Sequence, residues 1–277
     1  MPAPATSSSP SGTPNLLHTL SFGEQGRRVV FCHGLFGQGK NWTQIAKALA
    51  GTHRTCLVDL PQHGRSPWRQ RFDYLAMADE VAALLAPEDP VALVGHSMGG
   101  KVAMLVALRH PELVERLCVV DMSPVRYAET GTNPSLVAAM RRLDLDSLSS
   151  RQEADQRLAV DVPDPVVRGF LLQNLRRDAT GDPGSRWRWQ MNLAVLGDSL
   201  DQLADWPAEA LVGVAPYRGP VLWVAGAQSD YITAEYEPAM AHWFPRKRLA
   251  TIKNAGHWVH SEQPAVFTEV LRRFLDD

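Results

Sequence analysis

Short apolar runs alternate with amphipathic stretches along most of this chain, beginning near Leu16. Residues 29–32 (VVFC), 55–60, 91–94 and 117–120 are apolar runs of strand length. The stretches between them have helical spacing. In 42–50, Trp42, Ile45, Ala46 and Leu49 share one face; 78–85 is a helix stopped at Pro87; 101–109 is another. The same beat returns late, with strands at 221–225 and 248–252 and helices at 234–244 and 265–275. Strands that are apolar on both faces and separated by helices predict a parallel sheet covered on both sides. With right-handed crossovers this is an α/β fold with a doubly wound, mostly parallel sheet.

Between Ser123 and about Ala208 the strand signal disappears, and the segment reads as helices. One is expected at 135–143. Ser150 and Glu153 have capping-box spacing before a second. Asp164-Pro165 places an N-cap and a proline at N1, opening a third through residue 175. Because sheet signals flank it, 124–208 is expected to be a helical cap inserted into one α/β core made of 16–123 and 209–277. Residues 1–15 contain no charged side chain and are dominated by Ala, Pro, Ser and Thr. They are expected to be a disordered tail, lacking the basic start and apolar stretch of a secretory signal, which makes the cytoplasm the default location.

Charge narrows the function classes. Thirty acidic against 28 basic residues give a net charge of -2, which argues against a nucleic-acid partner. No apolar run approaches the roughly 18 residues of a membrane span. Cys32, Cys56 and Cys118 are an odd number without paired spacing, each inside an apolar strand, and read as buried small hydrophobes. Without CxxC or HxxxH spacing no metal site is expected.

The chemistry begins at Gly95-His96-Ser97-Met98-Gly99, which fits G-x-S-x-G at the end of a strand and the start of a helix. A chain that turns this sharply strains the serine backbone, and small residues two positions either side relieve the crowding. Ser97 is therefore the expected nucleophile. The phosphate-loop spacings G-x-x-x-x-G-K-[ST] and G-x-G-x-x-G are absent from this turn. Among nine histidines, His257 follows the last strand after Gly256, ahead of the final helix, and is the expected general base. Its local competitor is His260; His96, beside Ser97, should point away from it. Two aspartates compete for the acid: Asp121 after the strand at 117–120, and Asp230 after the strand at 221–225. Either keeps the chain order Ser…Asp…His.

These motifs resemble the α/β-hydrolase family. His33-Gly34-Leu35-Phe36-Gly37 is similar to its oxyanion loop, Asp59-Leu-Pro-Gln-His63-Gly64-Arg-Ser66 to the loop that follows, Gly95–Gly100 to its nucleophile elbow and Asn254-Ala255-Gly256-His257 to its histidine loop. HGLFG, GHSMGGKVAM, VVDMSPV and NAGHWVH resemble a serine esterase branch, the YbfF-type bacterial enzymes and their mitochondrial relatives. That resemblance implies hydrolysis of short- to medium-chain carboxylic esters or thioesters, a small-molecule acyl substrate and no cofactor. It also favours Asp121, because the branch keeps its aspartate in a VD-x-SP context, here Val120-Asp121-Met122-Ser123-Pro124. The usual later pattern, G-x-x-D, is one residue longer here, Gly226-Ala-Gln-Ser-Asp230. The oxyanion donors would be the backbone N–H groups of Leu35 and Met98, with His33 bracing their loop.

Phe36, Trp258, Trp187 and Arg186 are candidate pocket residues. Arg186-Trp187-Arg188-Trp189 also resembles a base-stacking patch, which the balanced charge disfavours. A C–C hydrolase or acyltransferase with the same triad is the alternative activity, and Arg126, Arg186 or Arg188 would then clamp a carboxylate. A non-catalytic receptor on the same fold is the non-enzymatic alternative.

Overall fold

The computed structural model describes residues 16–128, 133–177 and 187–277; the predicted tail at 1–15 lies outside them. Seven strands form one sheet: β1 (Thr19–Phe22), β2 (Arg28–Cys32), β3 (Arg54–Val58), β4 (Val91–His96), β5 (Val114–Val120), β8 (Val221–Gly226) and β9 (Lys247–Ile252). Their order is β1-β3-β2-β4-β5-β8-β9, parallel throughout except for β1, which pairs antiparallel with β3. Alternate residues of each strand serve opposite faces. Thus Val30, Leu93 and Val119 enter one core cluster while Val29, Phe31, Val94 and Val120 enter the other. This two-sided burial is why these strands read as unbroken apolar runs.

Helices α1 (Thr43–Leu49) and α11 (Pro264–Asp276) cover one face through Ile45, Leu49, Phe267 and Leu271. Helices α2 (Tyr74–Ala82), α3 (Met98–Arg109) and α9 (Glu237–Trp243) cover the other. The first turn of α2 begins earlier than its apolar spacing suggests, because the Asp73 side chain accepts from the Leu75 and Ala76 N–H groups at 2.9 and 3.1 Å. A short helix, α10 (Val259–Glu262), precedes α11.

Between β5 and β8 lie α4 (Asn133–Arg142), α5 (Arg151–Leu158), α6 (Pro165–Leu172), α7 (Leu193–Asp198) and α8 (Leu200–Ala204). The Ser150 and Asp164 side chains cap α5 and α6. Two expectations need correction here. Helix α6 stops at Leu172, and Leu175–Arg177 is instead a strand, β6, paired antiparallel with β7 (Trp187–Trp189). The alternation of Trp and Arg at 187–189 is a period-two strand pattern: Trp189 is buried and Arg188 exposed. The segment is therefore not purely helical, and its Trp-Arg alternation makes one side of a hairpin.

Candidate active site

Strand β4 ends at His96 and α3 starts at Met98, so Ser97 turns the chain alone, at φ 53° and ψ -121°. Such a backbone costs a non-glycine residue on the order of 1–3 kcal/mol. A Cβ on Gly95 would lie 2.2 Å from the carbonyl oxygen of Gly99, and one on Gly99 would lie 2.4 Å from that of His33. Backbone contact demands both glycines.

His257, in the loop between β9 and α10, places Nε2 2.9 Å from Ser97 Oγ and Nδ1 2.8 Å from Asp121 Oδ2. An ionised carboxylate only accepts hydrogen bonds, so Nδ1–H donates to Asp121 and Nε2 accepts the Ser97 hydroxyl. Asp121 follows β5 directly and is fully buried. Its Oδ1 accepts from the Gly226 N–H at 3.1 Å, and Oδ2 accepts a second donor, the Ser229 hydroxyl. Asp230, the rival acid, is exposed in the turn after β8. The phenol ring of Tyr231 stacks on the His257 imidazole, centroids 4.1 Å apart and 23° from parallel. His96 Nε2–H donates to the His257 carbonyl at 2.8 Å, turning that ring away from Ser97.

The loop carrying Leu35 is held by two neutral imidazoles. His33 Nδ1–H donates to the Gly34 carbonyl at 2.8 Å, and its Nε2 accepts from the Leu60 N–H at 3.0 Å. His63 Nδ1–H donates to the Pro61 carbonyl at 2.9 Å, and its Nε2 accepts from the Phe36 N–H at 3.2 Å. Burial lowers the pKa of His33; it pushes His63 down to about 3, with the neighbouring His33 acting in the same direction. Phe36 takes φ 59°, and its carbonyl accepts from the Asn174 side chain at 2.7 Å. The Met98 N–H opens α3 and has no intrahelical acceptor by construction. Leu35 N–H lies in the turn closed by the Gly37 N–H donating to the Gly34 carbonyl at 2.9 Å.

Two chambers meet at Ser97. One of about 330 Å³ is walled by Phe36, Leu136, Phe170, Tyr231, His257 and Trp258. The other, about 30 Å³, is walled by Leu35, Tyr74, Met98, Met122, Tyr127, Leu203 and Ala204. A larger cleft of about 410 Å³, around Arg69, Phe72 and Glu80, includes none of the residues at the Ser97 turn. Of the candidate pocket residues, Phe36 and Trp258 line the larger chamber, Trp187 packs on the core from β7, and Arg186 lies outside the described residues. Arg126 is 65 % exposed and pairs with Asp205 at 3.4 Å. Among the described residues no group of three or more His, Cys, Asp or Glu is placed to hold a metal, and no helix is long and apolar enough to cross a membrane. Ser229, Tyr231 and Asn174 were not foreseen from the sequence. The only signal was indirect: the extra residue after Gly226 puts a serine where the shorter loop has its aspartate.

A profile of the family described as "alpha/beta hydrolase fold" matches residues 27–264. The chain is 38 % identical over 255 residues to the sn-1-specific diacylglycerol lipase ABHD11 of Mus musculus, covering 89 % of this chain and 80 % of that protein. It is 29 % identical over 251 residues to Esterase YbfF of Escherichia coli, covering 90 % and 93 %. Among solved structures it is similar to a marine microorganism esterase, with a TM-score of 0.87, 32 % identity and coverage of 94 % and 99 %.

Proposed function

The chain belongs to the α/β-hydrolase family, as a carboxylic-ester hydrolase, and from that premise we propose that it works through an acyl-enzyme on Ser97. The observation that carries this is the continuous hydrogen-bond line from Ser97 Oγ through His257 to Asp121. His257 removes the serine proton as Oγ attacks the acyl carbonyl, while Asp121 holds the tautomer and stabilises the imidazolium. The Leu35 and Met98 N–H groups receive the oxyanion, each donor typically worth about 3–4 kcal/mol. The base returns its proton to the leaving oxygen or sulfur, and water then hydrolyses the acyl-enzyme by the same steps.

Proton return also orients the substrate. The leaving group must sit at His257, in the larger chamber, and the acyl group must sit beside Met98, in the smaller one. The reading is therefore an ester or thioester with a short acyl chain and a bulkier leaving group. Residues 124–208 act as its cap, since α4 and α6 contribute Leu136 and Phe170 to one chamber, and Leu203 and Ala204 from α8 wall the other. A fluorophosphonate probe should label the protein and leave Ser97→Ala unlabelled; equal labelling of both would reject the assignment.

A further inference from the structure

Lys101, one turn past Ser97 on α3, is completely buried. Its Nζ donates to three backbone carbonyls: Leu203 at 3.3 Å, Ala204 at 2.7 Å and Asp205 at 2.6 Å. All three ammonium donors are thereby used, on neutral acceptors at the C-terminal end of α8, where a cation is favoured. Two tyrosines reinforce the contact. Tyr74 O–H donates to the Leu203 carbonyl at 2.9 Å and Tyr127 N–H to that of Ala204 at 3.0 Å. Their rings lie 5.6 and 5.1 Å from the ammonium. Burying an ammonium is costly, and no step at Ser97 uses this one. What it holds is Leu203 and Ala204, which wall the small chamber beside the serine.

We propose that Lys101 is a positioning residue for acyl-chain length: by pinning residues 203–205 to α3 it closes the small chamber and restricts it to short acyl groups. This rests on the reading of Ser97 as the acylated residue. The latch is also poised to respond to pH. Burial pushes the Lys101 pKa down to about 7; Asp205 raises it and Arg126 lowers it further. The other titratable groups facing it, the Tyr74 and Tyr127 phenols, are pushed up by burial and stay neutral in that range. As Lys101 loses its proton it keeps two donors for three carbonyls, and the wall loosens.

The test compares kcat/KM for p-nitrophenyl octanoate and p-nitrophenyl acetate in the unaltered protein, Lys101→Met and Lys101→Arg, after fluorophosphonate labelling has counted competent serines. Lys101→Met should keep its labelling and raise the octanoate-to-acetate ratio about tenfold, the scale on which pocket contacts discriminate methylenes. Lys101→Arg, which keeps charge and donors, should stay within about twofold of the unaltered ratio. The ratio should also climb in the unaltered protein from about pH 6 to about pH 9, and not in Lys101→Arg, because any pH dependence of the chemical step shared by both substrates divides out. An unchanged ratio in a labelled Lys101→Met overturns the proposal. Should that variant fail to fold, a flat pH series in the unaltered protein overturns it instead. Absence of labelling in the unaltered protein would reject the Ser97 reading, a separable outcome.

Discussion

Ser229 donates its hydroxyl to Asp121 Oδ2, the same oxygen that accepts Nδ1–H from His257. The loop after β8, which holds the rival carboxylate Asp230, thus serves the proposed triad through a serine one position earlier. With the Gly226 N–H on Oδ1, the buried carboxylate is held on both oxygens in the orientation the imidazole needs. Asp121→Asn should lower kcat by about 10³–10⁴-fold, because an amide can present a donor to Nδ1 and favour the wrong tautomer. Asp230→Asn should stay within about twofold of the unaltered rate, as expected of an exposed side chain. Ser229→Ala should fall between them, about tenfold down, the loss of one charge-assisted hydrogen bond. The three kcat values on one activated ester check the order, and a large loss confined to Asp230→Asn would transfer the acid role to it.

A second relationship ties the segment between β5 and β8 to the loop carrying Leu35. Asn174, fully buried, donates to the Phe36 carbonyl at 2.7 Å and accepts from the Gln38 amide at 2.5 Å. Asn174→Leu preserves volume but orphans the Phe36 carbonyl and leaves Gln38 Nε2 only its long contact to the Gln173 carbonyl, at about 1–3 kcal/mol for an orphaned buried group. Urea unfolding should show that loss. Because Leu35 precedes Phe36, kcat should drop more than KM changes, the pattern of an interaction made in the transition state.

Phe170 and Trp258 pack together in the wall of the larger chamber, ring centroids 5.9 Å apart. If that chamber takes the leaving group, Phe170→Ala should raise KM about tenfold for a naphthyl acetate and little for methyl acetate, leaving kcat nearly unchanged. A change that instead tracks acyl length, on esters of one alcohol, would reverse the assignment of the two chambers.

The parts of this architecture that were legible in the sequence are those with a local cause. Residues 29–32, 91–94 and 117–120 read as buried strands because both faces are apolar, and they are strands. Gly95 and Gly99 flank Ser97 because a Cβ at either would collide with backbone. Tyr231, Asn174 and Lys101 have no such signature. Each is a single residue in a loop or apolar helix, and its meaning comes from what the tertiary structure brings to it: an imidazole face, the Phe36 carbonyl, or three carbonyls at the C-terminal end of α8. Strand β1 was unforeseen because its four residues are not an apolar run and it binds at the sheet edge. The β6–β7 hairpin was missed because each strand has three residues, too few for a period to register.

Four of the five buried histidines make the fold acid-sensitive in a defined window. Burial lowers the pKa of His33 and His96, and pushes His63 and His260 from the ordinary 6.5 down to about 3. The folded state holds these rings neutral while the unfolded chain protonates them near 6.5, so below that value the unfolded state binds more protons. Stability is then full above about pH 6.5 and is lost as pH falls toward 3, with a limiting slope of about 1.4 kcal/mol per pH unit for each ring. Urea midpoints at pH 7.5 and pH 5.5 should differ accordingly. His260 isolates one contribution: it stacks on Trp42 with centroids 4.1 Å apart, and among the described residues its buried Nδ1 has no hydrogen-bond partner. His260→Phe keeps an aromatic ring on Trp42 and removes one titrating group, so its stability should fall less between the two pH values. A pH slope identical to that of the unaltered protein would show that His260 is not held neutral by the fold.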